Sequence, residues 1–113
     1  RTTMAIDLME AALAINGGDP VTVTVGDVKF DIKRNYSAKQ VRKYVKVFND
    51  EENTWDKIIN AVLNITCTFD NDKDKEEVAE QLLSLSIAEV TKVLVFIGET
   101  AGLMNHDGEL LSP

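Results

Sequence analysis

The chain has one cysteine, Cys67, and one histidine, His106, in 113 residues. A single cysteine excludes an intramolecular disulfide framework and every multi-cysteine metal site. A single histidine removes any site that needs two. No apolar run approaches the roughly 18 residues of a membrane-spanning helix. The apolar stretch Met4–Ile15 is broken by Asp7 and Glu10, and no small-residue cleavage site follows it. Gly17-Gly18 precede Asp19-Pro20 rather than a helix start, so no phosphate-cradling loop is present. Positive charge is also scarce, with 12 basic against 19 acidic side chains and a formal net charge of -7. That balance opposes bulk attraction to nucleic acid or to anionic lipid.

What remains is the composition of an ordinary globular protein, 44% hydrophobic and 27% charged. The length suits one domain. A cytoplasmic location is the default expectation, and a free cysteine fits a reducing compartment. The chain begins at Arg1 rather than methionine, which leaves its natural start open.

The periodicity predicts a helix over 4–16, where Leu8, Ala11, Ala12 and Ile15 share a face after a Thr3 N-cap. Two alternating runs, Val21–Val25 and Val28–Ile32, flank Gly26-Asp27 and predict a β-hairpin over 21–32. In that register Val25 faces Val28, Val23 faces Phe30 and Val21 faces Ile32, all on one side. No further convincing strand is visible, so the apolar side needs helices, or a partner's strand at an open edge. Ser37 and Gln40 have capping-box spacing, and Tyr36 with Val41 has that of a hydrophobic staple, which together start a helix over 38–48. Further helices are expected over 54–65, 75–85 and 87–101. The last opens on a Ser86/Glu89 capping box and closes on a Schellman turn at Ala101-Gly102-Leu103. Trp55, Ile58, Ile59, Val62 and Leu63 are read as core, and Thr66–Phe69 either finishes that helix or forms an extended link. The expected fold is α+β and mainly α, one hairpin packed on about five short helices. It makes a single domain over 1–104 with a loose tail over 105–113.

Candidate chemistry is thin. Asp70-Asn-Asp72-Lys-Asp74 has the acidic spacing of a calcium loop, but position six is Lys75 and position twelve is Gln81. The glycine of the sharp turn and the bidentate glutamate are both missing. Solvated acids leading into a helix N-terminus account for this stretch instead. His106 as a general base would need Cys67 or a serine as nucleophile. Ser37 and Ser86 are occupied as caps, and Cys67 sits in an apolar setting, so nothing preorganises catalysis. No metal site, cofactor site or catalytic residue is expected.

Charge distribution is more informative. Between Lys29 and Lys46 lie seven bases and one acid, Asp31, a segment of +6; the rest of the chain carries -13. The candidate partner-binding patch is Lys33, Arg34, Lys39, Arg42, Lys43 and Lys46. The competing reading is a solvated helix face balanced by acids such as Asp50, Glu51 and Glu52. Phe30, Tyr36, Tyr44 and Phe48 are assigned to the core, which leaves no aromatic for base stacking.

The order of elements over Val21–Leu103 resembles the tail assembly chaperones of long-tailed bacteriophages and prophages. The resemblance opens on Val-Thr-Val-Gly-Asp-Val-Lys-Phe-Asp-Ile-Lys-Arg-Asn-Tyr-Ser over 23–37, a strand, a Gly-Asp turn, a strand and a basic helix start. It continues through Glu77–Leu85 and Ser86–Val95. The resemblance implies a non-enzymatic binding role in the cytoplasm of a bacterial host. The partners would be the tape-measure protein and tail-tube subunits, with self-association, and no catalytic residues carry over. Two alternatives stand beside it: a small nucleic-acid-binding regulator using 29–46, and a head–tail connector or other structural virion protein.

Overall fold

A computed structural model describes residues 18–110. The fold is α+β. Strands β1 (Val21–Val25) and β2 (Val28–Ile32) form the hairpin in the expected register, Val21 opposite Ile32, Val23 opposite Phe30 and Val25 opposite Val28. Gly26 takes φ 59° at the first turn position, a conformation open to glycine and strained for a side chain. Alternation does the sorting: Val28, Phe30 and Ile32 are buried, while Thr22, Thr24 and Lys29 are exposed on the other side. Helices α1 (Ala38–Asn49), α2 (Trp55–Thr66), α3 (Asp72–Leu83) and α4 (Ile87–Ala101) follow.

Helix α2 is the centre of the packing. It contacts α1, α3 and α4, while α3 and α4 also cover β2. Ile59, Val62, Leu63 and Thr66 of α2 are wholly buried, and the Thr66 hydroxyl donates to the Val62 carbonyl. Tyr44 of α1, Val78 and Leu82 of α3, and Leu94 and Ile97 of α4 complete the core. Phe30 stacks on Phe69 with ring centroids 4.6 Å apart.

Both capping boxes form. The Ser37 Oγ accepts from Gln40 N while Gln40 returns the bond, and Ser86 with Glu89 does the same. The Schellman ending is present too: Gly102 has φ 82°, Leu103 N donates to Gly98 O, and Gly102 N donates to Glu99 O.

Several expectations are corrected. A third strand, β3 (Cys67–Thr68), pairs antiparallel with β2 through Asp31–Thr68 and Ile32–Cys67, so the hairpin is part of a sheet of order β1-β2-β3. Two residues carry no alternation, so periodicity could not reveal it. Four helices are found among the described residues; the expected helix 4–16 lies outside them. Helix α3 starts earlier than residue 75 because Asn71 caps it, accepting from Asp74 N, and it ends at Leu83 rather than 85. Asp72 and Asp74 therefore stand in a first helical turn, where the dipole favours acids. Trp55, assigned to the core, is 39% exposed, because it is the first residue of α2 and precedes the turn that packs. Residues 105–110, read as part of the loose tail, close into a turn. Met104 bridges Leu110, and the Asn105 side chain accepts from Asp107 N and Glu109 N. Residues 111–113 lie outside the described residues.

Candidate partner-binding surface

The six basic residues of the patch come from two elements, Lys33 and Arg34 from the segment after β2 and the other four from α1. Lys33 follows β2 and is half-buried; its backbone N–H donates to Thr66 O at 2.8 Å. The Tyr36 hydroxyl donates to Lys33 O at 2.6 Å and lies 3.4 Å from Thr66 O. This bracket ties the exit of β2 to the end of α2. Burial, with Cys67 and Tyr44 nearby, raises the Tyr36 phenol above its ordinary range, so it stays a donor. Arg34 is exposed and lines an open groove of about 350 Å³ with Tyr36, Val41 and the Glu99–Leu103 end of α4.

The other four residues belong to α1. At 100° per residue, Arg42, Lys39, Lys46 and Lys43 fall within about 100° of arc, opposite the face that buries Tyr44. All four are exposed. They run as a stripe along the helix, with Lys39, Lys43 and Lys46 spanning about 10 Å of its axis. Among the described residues no carboxylate stands within 4 Å of any of them, the ion pair found being His106 with Glu99 at 3.5 Å. Of the acids expected to balance the stripe, Asp50 turns its carboxylate to Glu52 N at 3.0 Å and shapes the loop after α1. The Lys43-side rim of the stripe holds Gln40 and Val47, both half-buried.

The groups considered for catalysis are placed apart in role. Cys67 is buried beside the Thr66 hydroxyl, and burial pushes its thiol up to about 11, so it is protonated at neutral pH. His106 sits on the exposed 105–110 turn. Among the described residues no group of three or more His, Cys, Asp or Glu could hold a metal ion. No described helix is long and apolar enough to cross a membrane.

Sequence reasoning missed the groove beside Arg34. Its walls come from residues far apart in the chain, and the one local signal is the Gly102 helix stop, which turns the backbone at its rim. It also missed Ile87 and Phe96, which are 66% and 56% exposed on α4. Their spacing places them on opposite sides of that helix, so they do not make one patch. No protein-family model, curated protein or solved structure matches the chain.

Proposed function

We propose that the chain is a non-enzymatic protein-binding module of the tail assembly chaperone kind. It would act in the cytoplasm of a bacterial host by holding a tape-measure protein and assisting tail-tube assembly. One observation carries the reading: a hairpin leads directly into a helix whose whole outer face is basic, on an otherwise acidic body. The acidic remainder would keep a holding protein and its client in solution. Coexpression with the neighbouring tape-measure product tests this. A soluble complex is the expected outcome, and a client that stays insoluble and unbound ends the proposal. Nucleic acid is the second reading, favoured by the same stripe. A salt-titrated binding assay separates the two, since phosphate contacts give a steep loss of affinity with salt.

A further inference from the structure

We infer that the α1 stripe of Lys39, Arg42, Lys43 and Lys46 is a docking face for a carboxylate-bearing helical segment of a partner protein. The inference rests on the reading of the chain as a protein-binding module, not on its family.

The stripe carries charge that α1 does not balance within itself, whereas α3, with four like-charge acidic pairs, interleaves Lys73 and Lys75 among them. Helices α2, α3 and α4 carry acids in their first turns, namely Asp56, Asp72 with Asp74, and Glu89. The first turn of α1 has none, so Lys39 stands there without a neighbouring acid, unlike Lys57 of α2 and Lys73 and Lys75 of α3. Lys39 with Arg42, Lys39 with Lys43, Arg42 with Lys46, and Lys43 with Lys46 are like-charge pairs at i,i+3 or i,i+4 spacing, each of which destabilises a helix. No acid within α1 relieves them. A helix that breaks a local rule four times without internal compensation marks a functional surface.

The geometry selects the partner. Cations along one helical line match carboxylates repeated every turn on a second helix laid alongside. The half-buried Val47 gives that helix an apolar contact at the rim. A long polyanion would also meet the -13 remainder of the chain, whereas a short acidic helix meets the stripe alone. No aromatic side chain of α1 is exposed, since Tyr44 is buried and Phe48 half-buried, so bases have no platform there.

The test uses the full chain and three probes in fluorescence anisotropy at low and at physiological salt, with amide shifts mapping the contact. The probes are a helical peptide with Glu at i, i+4 and i+7, its Gln counterpart, and a single-stranded oligonucleotide. The Glu peptide is expected to bind, to shift residues 39–47, and to weaken about tenfold or more in the Lys43→Glu/Lys46→Glu variant. Because both substitutions are exposed, the melting temperature of that variant reports that it is folded. Equal binding of the Gln peptide, tighter binding of the oligonucleotide, or shifts mapping away from α1 would each overturn the inference. A tape-measure product that stays insoluble while the Glu peptide binds overturns the family reading and supports the stripe.

Discussion

The Tyr44 hydroxyl is buried without a hydrogen-bond partner among the described residues. Burial alone raises its phenol above the ordinary range. An unmade buried hydrogen bond leaves the desolvation penalty uncompensated, so Tyr44→Phe is expected to be neutral or to stabilise by up to about 1 kcal/mol, measured by urea unfolding. Gly98 behaves in the opposite way. A Cβ there would stand 2.6 Å from the Tyr44 hydroxyl and 2.8 Å from the Met104 sulfur. Gly98→Ala gains about 1 kcal/mol of helix propensity. It forces two buried side chains to move, at a cost of about 1–3 kcal/mol, so net destabilisation is expected in the same assay. Helical spacing made Tyr44 legible as core. Its missing partner was not, because the backbone nearest its hydroxyl, at Gly98, lies on a helix some fifty residues on.

Helix boundaries followed the chemistry that local sequence can express. Ser37 and Ser86 were readable because each cap and its reciprocal partner lie three residues apart. Ser37→Ala is expected to cost about 1 kcal/mol, seen as a lower midpoint in denaturant. Glu89 is held below the usual carboxylate range first by the Ser86 backbone N–H and then by its hydroxyl; Ser86→Ala removes only the hydroxyl, so a partial return toward the ordinary value is expected, which a pH series of NMR spectra follows. Asp70–Asp74 reads as a polar loop in sequence, and the Asn71 cap, accepting from Asp74 N, is what starts α3 at Asp72. At α1 the expected trade is explicit. Lys43→Glu converts repulsions with Lys39 and Lys46 into attractions, each pair contributing about 0.2–0.5 kcal/mol. A small rise in melting temperature at low salt, fading at high salt, is therefore expected together with lost binding of an acidic peptide.

Over the whole molecule, buried titrating groups predict an alkaline limit. The Cys67 thiol moves from 9.0 to about 11 on folding, so the native state holds its proton more tightly than the unfolded chain. Below pH 9 both states are protonated and stability is unaffected. Between 9 and 11 the unfolded chain releases the proton first, and stability falls as pH rises. Tyr36 and Tyr44 are shifted in the same direction and extend the loss above their ordinary value of 10. Thermal melts should be flat from neutrality to about pH 9 and drop beyond it. Cys67 should resist alkylation until the protein unfolds. Fold class and hairpin register were legible in sequence because alternation and caps are local. The sheet's third strand was not, because it depends on where α2 ends.

That ending also shapes the route by which the molecule assembles. The β1–β2 turn joins neighbours in sequence, whereas Ile32 meets Cys67 only after residues 33–66 have been gathered into a loop. The entropy of closing so long a loop is recovered late unless α1 and α2 already shorten it. Conservative truncations in α2 should therefore slow refolding, while Ile32→Val at the β2–β3 junction should chiefly hasten unfolding. Stopped-flow chevrons distinguish the two, and that outcome would make the two-residue strand the clasp fastened last.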